Sequence, residues 1–243
     1  MKIICFGHFE LIKDGAPLQF PRKAPKKPLQ LLKFVVAHGG VKVSEDKIID
    51  ALWADEEADA ARSAFSSVLS RLRKLVGTDV ITSSAGTVSL NPEKCWVDAW
   101  AFEKLLLQAD EAGKSGDADA RARLTQKALA LFHGRFLAND PDASWAIAMR
   151  ERLRWRYLKS IGILADHWQQ IGECRQAIDC YENGLAVDEL TEEFYQGLMR
   201  CYHNLGFDGE AVETYHRCKK MLSLSLGIKP SKATESLYRS LIS

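Results

Sequence analysis

The sequence has no long apolar run. Charged residues make up 27% of its 243 residues, and it contains no stretch of about 18 apolar residues that could cross a bilayer. Residues 1–8 lack both the apolar stretch and the small-residue cleavage site of a signal peptide. These absences predict a soluble cytoplasmic protein without a membrane partner.

Cysteine pairs with the spacing of metal or disulfide sites are also missing. The six cysteines are spread thinly and form no CxxC pair, which favours reduced thiols in a cytosolic protein. Cys201 and His203 are two residues apart, as are His216 and Cys218. On a helix such side chains point about 200° apart, so neither pair can bind one metal ion. We therefore expect buried or surface thiols and no metal site.

Sequence motifs of catalysis are absent as well. Neither HExxH nor GxSxG occurs. Gly113-Lys114-Ser115 is similar to the end of a phosphate-binding loop, but Gln108 replaces the first glycine of that pattern. We therefore expect no enzyme activity, no catalytic residue and no cofactor.

The chain also lacks a strong excess of basic charge, since its net charge is +1 at pH 7. Residues 1–96 hold 14 Lys and Arg against 11 Asp and Glu, net +3, while residues 97–243 hold 19 against 21, net −2. This asymmetry permits nucleic-acid binding by the first part, although a dedicated nucleic-acid domain is usually far more basic.

The first part contains an ordered series of predicted elements. Residues 3–20 predict three short strands separated by turns. A first helix is expected from Pro28, because the prolines before it keep the chain out of helix, and a second after Ser44, whose hydroxyl can cap it. Residues 60–76 predict a third helix, and residues 80–90 predict a terminal hairpin.

The third predicted helix is amphipathic. Phe65, Leu69, Leu72 and Val76 form a stripe that should face the core. Small hydroxyls on the opposite face would let the helix lie deep in a major groove and bond to base edges or phosphates. Composition alone is equally consistent with a solvated face. The candidate DNA contacts on this helix are Ser63, Ser66, Ser67, Ser70, Arg71, Arg73 and Lys74.

The order of these elements resembles the winged helix of OmpR-type response regulators, especially the version in Streptomyces antibiotic regulatory proteins. This resemblance covers nearly all of residues 2–96. It implies that the third helix reads DNA and that the last hairpin is a wing that reaches the minor groove. The matching residues are Pro28–Leu32, Val43-Ser44, Ile49–Trp53 and Ser70–Leu75 before Gly77.

The wing departs from the family pattern. Gly86-Thr87 stands where the family usually has Gly-Tyr, and the predicted tip Ser83-Ser84-Ala85 carries no cation. More of the phosphate binding is then expected from the third helix and from the cations before the first helix. The candidate wing contacts are Thr82, Ser83, Ser84 and Thr87, and the candidate backbone contacts are Arg22, Lys23, Lys26 and Lys27.

An acidic stretch with Asp55, Glu56 and Glu57 precedes the third helix. In the OmpR-type fold this loop often touches RNA polymerase. The resemblance therefore implies a polymerase contact here, and the simpler alternative is a solvated charge run.

The second part, from residue 97 onward, has helical periodicity and an internal repeat. Four residues recur 34 positions later, which is the period of a tetratricopeptide repeat. In such repeats small residues let two antiparallel helices approach, and an aromatic residue fills the gap between repeats. The four pairs are Gly172 and Gly206, Ala177 and Ala211, Ile178 and Val212, and Tyr181 and Tyr215.

This second part resembles the bacterial transcriptional activator domain that follows the winged helix in the same regulators. The residues that carry the resemblance are Val97–Phe102, Ala128–Leu137 and Leu226–Ser231. Residues 22–28 resemble the versions found at an end of large ATP-dependent activators, which implies one module of a longer protein.

Together these features predict an α+β winged helix-turn-helix over residues 1–96, followed by an all-α tetratricopeptide-like repeat domain over residues 97–243. The resemblance implies a transcription regulator, of the activator type, that binds double-stranded promoter DNA and uses the repeat for regulation, homodimerisation or partner contact. The alternative is a protein-interaction module of a larger regulator whose winged helix binds DNA weakly or not at all. The low charge of the helix and wing favours this alternative.

Overall fold

The computed structural model describes residues 1–20 and 24–242. The strands in this part of the chain are β1 (Lys2–Ile4), β2 (Glu10–Lys13), β3 (Ala16–Pro17), β4 (Val43–Ser44), β5 (Ile81–Ser84), β6 (Thr87–Leu90) and β7 (Trp96–Val97). The helices are α1 (Lys26–Ala37), α2 (Glu45–Leu52), α3 (Ala58–Val76), α4 (Asp98–Lys114), α5 (Ala118–Leu129), α6 (Ile147–Gln170), α7 (Cys174–Val187), α8 (Glu192–Asn204), α9 (Asp208–Leu226) and α10 (Lys232–Leu241).

The strands form two small sheets. The first has the order β3-β2-β1-β7, in which β1 is antiparallel to β2 and parallel to β7. The second has the order β4-β6-β5 and contains the terminal hairpin. Strands β1 to β3, β5 and β6 lie in the two predicted regions, whereas β4 and β7 were not predicted, and β7 extends to Val97 in the part that was expected to be all helical.

Helix α1 begins earlier than expected. The prediction of a start at Pro28 is wrong by two residues, because α1 begins at Lys26. Pro28 occupies the first turn, where a helix needs no backbone N–H from it. The second helix begins as predicted, since Ser44 Oγ accepts a hydrogen bond from Lys47 N at 3.4 Å.

The chain divides into two compact units. One comprises residues 1–104 with 131–153, and the other comprises residues 105–130 with the chain from Arg154 onward. The division therefore falls within α4 and α6. The boundary expected at residues 96 and 97 remains a prediction about domain organisation.

In the first unit, a buried carboxylate at the start of α4 contacts the backbone just after β1. Asp98 is 2% exposed, and its side chain accepts hydrogen bonds from the backbone N–H groups of Cys5, Phe6 and Ala99 at 2.7–2.9 Å. The pKa of Asp98 is raised because burial disfavours the charged carboxylate, and the hydrogen bonds from these three N–H groups offset only part of the rise. The first turn of α4 is thereby attached to the end of β1.

Segment 131–146 of the first unit is organised by one arginine. Arg150 is 3% exposed, and its guanidinium donates to backbone carbonyls between Phe136 and Ala143. The same segment pairs with the N-terminal region through a bridge between Phe6 and Phe136. Rings of the two parts also contact, with the centroids of Phe6 and Phe132 4.8 Å apart.

The second unit contains the predicted helical repeat. Ala177 and Ala211 are both fully buried, and Tyr181 and Tyr215 are 3% and 4% exposed. Neighbouring helices approach closely, because a Cβ on Gly197 would lie 2.2 Å from the Tyr181 ring. The structure thus confirms a mostly helical, tetratricopeptide-like fold for this part of the chain. Among the described residues, no helix is long and apolar enough to cross a membrane.

Candidate nucleic-acid interface

The outer face of α3 carries the polar residues expected from the sequence. The inner face packs as predicted, with Phe65, Leu69, Leu72 and Val76 at most 5% exposed. On the other side, the side chains of six of the seven candidate residues are exposed to solvent. These six are Ser63, Ser66, Ser67, Ser70, Arg71 and Lys74.

Arg73 differs from the other candidates because it is half-buried and already bonded. Its Nη2 donates to Ser83 Oγ at 2.8 Å, and its Nε donates to the carbonyl oxygen of Ile81 at 3.4 Å. Both acceptors belong to β5, so Arg73 joins α3 to the terminal hairpin. Arg71 and Lys74, by contrast, have no ion-pair partner within the described part of the chain.

The terminal hairpin is short. Its turn consists of Ala85 and Gly86, with φ of 48° and 70°, which is the left-handed geometry of a type I′ turn. Ser83 and Ser84 were expected in the turn, but they lie in β5, because pairing with β6 continues to Ser84 and Thr87. The carbonyl of Gly86 accepts a hydrogen bond from Glu45 N at 2.9 Å, so the turn is held against the start of α2.

The candidate hairpin contacts are accessible to different degrees. Thr82, Ser83 and Ser84 are exposed, while Thr87 is half-buried. Thr87 Oγ1 donates to the carbonyl oxygen of Ser84 at 2.8 Å. Thr87 therefore braces the hairpin, and the three exposed hydroxyl side chains lie on β5.

The candidate backbone contacts at the start of α1 and just before it also differ in their surroundings. Arg22 and Lys23 lie outside the described residues. Lys26 is exposed. Lys27 Nζ donates to the carbonyl oxygen of Leu52 and lies 4.9 Å from the centroid of the Trp53 ring. Lys27 is exposed as well, but its ammonium group connects the start of α1 to the end of α2.

The structure adds one cation that the sequence interpretation missed. Arg62 lies one turn before Ser66 on α3 and has an exposed side chain, paired at 3.1 Å with the equally exposed Asp46. An exposed ion pair of this kind contributes little to stability. The sequence could have indicated Arg62, because a residue four positions before Ser66 lies on the same face of the helix. The outer face of α3 thus carries three arginine or lysine side chains: Arg62, Arg71 and Lys74.

Asp55, Glu56 and Glu57 lie between α2 and α3 and are exposed. Glu56 N donates to the carbonyl oxygen of Trp53 at 3.1 Å, which fixes the backbone there while the three carboxylates face solvent. In the part of the chain that the structure describes, no group of three or more His, Cys, Asp or Glu, these three included, could hold a metal ion.

These observations define a protein with a polar, mildly cationic helix face beside a β-hairpin, followed by a tetratricopeptide-like repeat. The profile of the bacterial transcriptional activator domain matches residues 97–242, which is more than half of the chain. The chain belongs to this family.

Relatives of known role agree with this assignment. The regulatory protein AfsR of Streptomyces griseus is 26% identical over 234 residues, which cover 96% of this chain and 23% of AfsR. The regulatory protein DnrI of Streptomyces peucetius is 21% identical over 229 residues, covering 89% of this chain and 84% of DnrI. This chain therefore spans less than a quarter of the length of AfsR.

A solved structure has the same fold. Mycobacterium tuberculosis EmbR, solved in complex with a low-affinity phosphopeptide, superposes with a TM-score of 0.76 at 22% sequence identity. The superposition covers 99% of this chain and 64% of the EmbR chain. At 22% identity this similarity shows that the two chains share a fold.

Proposed function

We propose that this protein regulates transcription, as an activator, by binding double-stranded promoter DNA through a winged helix. The observation that carries the proposal is the outer face of α3, where exposed serines stand beside Arg71 and Lys74 and next to the terminal hairpin. The order of elements in residues 1–96 supports it: a sheet, three helices and a hairpin that forms a second sheet with β4. AfsR and DnrI are named as regulatory proteins.

The residues of this interface have different roles in the proposal. Ser63, Ser67 and Ser70 approach base edges, because a face of small hydroxyls leaves room for the helix in the major groove. Arg71, Lys74 and Lys26 bind phosphates, and Arg22 and Lys23 add to them. Arg73 positions the hairpin, and the exposed hydroxyls of β5 contact the backbone.

The other partners follow the family. The repeat domain over residues 97–243 serves regulation, homodimerisation or partner contact. The exposed carboxylates Asp55, Glu56 and Glu57 form a contact surface for RNA polymerase, which is accessible beside the proposed DNA-reading helix. Activation then needs no chemistry within this chain, because recruitment alone supplies the effect.

The test is a selection of binding sites from a random duplex library with the full chain, followed by measurement of affinity against salt. We expect one enriched sequence, and a decline of log K against log salt with a slope of about −4.5, since the five proposed phosphate-binding cations each neutralise one phosphate at about −0.9 per contact. Failure to enrich any duplex contradicts the proposal. It would favour the alternative of an interaction module, to which the uncharged tip of the hairpin already points.

A further inference from the structure

A groove with a volume of about 470 Å³ lies in the second unit between α5 and α7, with α6 as its floor. The floor is apolar, since Tyr157, Ile161 and Leu164 are buried residues of α6. Trp168, half-buried on the same helix, forms one wall. Because the three floor residues are already buried, the apolar area that another molecule can still cover lies mainly on Trp168, and covering it gains free energy.

The rim of the groove is polar. Gln126 on α5 and Gln176 and Asn183 on α7 are exposed amides. Such side chains both donate and accept hydrogen bonds, which suits a peptide backbone. Asp179 is exposed and carries the one full charge among the residues that line the groove. The rim is therefore complementary in charge to a peptide that carries a positively charged side chain.

The next repeat shows what fills the equivalent space. Arg217 stands 34 positions after Asn183, and its guanidinium carbon lies 5.5 Å from the centroid of the Tyr195 ring. Its Nη1 also donates to both carboxylate oxygens of Glu182 at 2.8 and 2.9 Å. An arginine of the chain itself thus covers that position between α7 and α9.

The first groove lacks this arginine. Asn183 at the equivalent position has a shorter side chain than arginine and no charge, and Gln126 on the α5 side of the groove is neutral as well. Cys180 in the wall behaves as an apolar group, because burial raises the pKa of its thiol to about 11. The groove between α5 and α7 therefore has an aromatic and apolar floor and one carboxylate. Its lining residues include no arginine like the one that covers the position between α7 and α9.

We propose that this groove binds a peptide segment of a partner protein that inserts an arginine side chain beside Asp179, with apolar neighbours over Trp168. Arginine suits the site because its planar guanidinium both stacks on aromatic rings and pairs with a carboxylate. The binding is independent of DNA binding by α3.

The experiment pans a displayed random-peptide library against the full chain without DNA, and then measures affinities of the enriched synthetic peptides by fluorescence polarisation. We expect enrichment of arginine next to apolar residues. Asp179→Lys should weaken the enriched peptides by roughly tenfold or more, since a charge-assisted contact is lost. Glu213→Lys, the same change one repeat later at an exposed position, should leave the affinity unchanged.

A second variant fills the groove from within. Asn183→Arg places in α7 the side chain that Arg217 supplies in the next repeat, so it should abolish peptide binding while circular dichroism and thermal unfolding remain as in the wild type. Absence of enrichment, enrichment without arginine, or undiminished binding to the folded Asn183→Arg variant overturns the proposal. A wild-type dimer that Asn183→Arg dissociates in sedimentation also overturns it, because the occupant would then be a second copy of this chain.

Discussion

The indole ring of Trp100 occupies the space directly in front of Gly40. A Cβ on Gly40 would lie 2.0 Å from a ring carbon of Trp100, and Gly40 has a φ of +72°. The indole N–H also donates to the carbonyl oxygen of Val36 at 3.3 Å. The first turn of α4, which belongs to the activator-domain part of the sequence, is therefore packed against the end of α1 within one compact unit.

This contact predicts an asymmetry between two adjacent glycines. Gly40→Ala should lower the free energy of unfolding by roughly 1–3 kcal/mol through overpacking against Trp100, in addition to the strain of a positive φ. Gly39→Ala is the control, because Gly39 has a φ of +86° and nothing within 4 Å of its added Cβ. Urea denaturation of both variants measures the difference, and equal losses would show that the Trp100 contact contributes nothing.

Asp98 provides a second stability prediction. Asp98→Asn replaces one acceptor oxygen by an N–H₂ group that faces the backbone donors of Cys5, Phe6 and Ala99. We expect a loss of roughly 1.5–3 kcal/mol, the range for a hydrogen bond to a charged group. Asp142→Asn, at an exposed position of the same unit, should stay within about 0.5 kcal/mol. A similar small change for Asp98→Asn would mean that the carboxylate does not hold α4 to β1.

The helical repeat predicts equivalent behaviour of two alanines. Ala177→Leu and Ala211→Leu should each lower the free energy of unfolding by about 1–3 kcal/mol, because both positions are fully buried between helices. Ala186→Leu on the exposed side of α7 is the matched control. Thermal unfolding distinguishes them, and a neutral Ala211→Leu would contradict the assigned register of the repeat.

Arg73 allows positioning to be separated from charge. Arg73→Lys keeps the charge but cannot reach both Ser83 Oγ and the Ile81 carbonyl. It should therefore weaken binding to the selected duplex by about 1 kcal/mol, roughly fivefold. Arg71→Lys should bind nearly as the wild type does, since either cation neutralises a phosphate. Equal affinities of the two variants in fluorescence anisotropy would assign Arg73 to phosphate binding instead.

The sequence predicted features that depend on local periodicity. The two faces of α3 are arranged as expected, because a helical spacing of buried positions is visible in one dimension. The 34-residue repeat was found for the same reason, and Ala177 and Ala211 are equivalent in burial. The Streptomyces regulator resemblance is supported in its activator-domain part, while the winged helix belongs to the proposal.

Features that depend on contacts between distant residues could not be predicted in this way. The pairing of Arg73 with Ser83 needs the angle between α3 and β5, so Arg73 appeared as one more free cation. The start of α1 at Lys26 was missed for a local reason instead, because a first helical turn tolerates Pro28. The packing of residues 131–153 with residues 1–104 depends on Arg150 and Phe136, whose partners are remote in sequence.

Whether the outer face of α3 reads DNA is decided by one comparison of affinities. Ser70→Glu with Lys74→Glu adds negative charge at two exposed positions of α3 spaced by four residues. Ser236→Glu with Lys232→Glu makes the same chemical change at exposed positions of α10 with the same spacing, so it is the matched control. Both variants should remain folded, because surface changes cost little stability.

On the selected duplex at fixed salt, we expect the α3 variant to lose affinity by roughly tenfold or more, because of like-charge repulsion and a lost phosphate contact. The α10 variant should bind within about twofold of the wild type, because it changes a surface outside the proposed interface. If the folded α3 variant binds the duplex as tightly as the α10 variant does, α3 is not the reading helix, and the proposed DNA binding through its outer face is wrong.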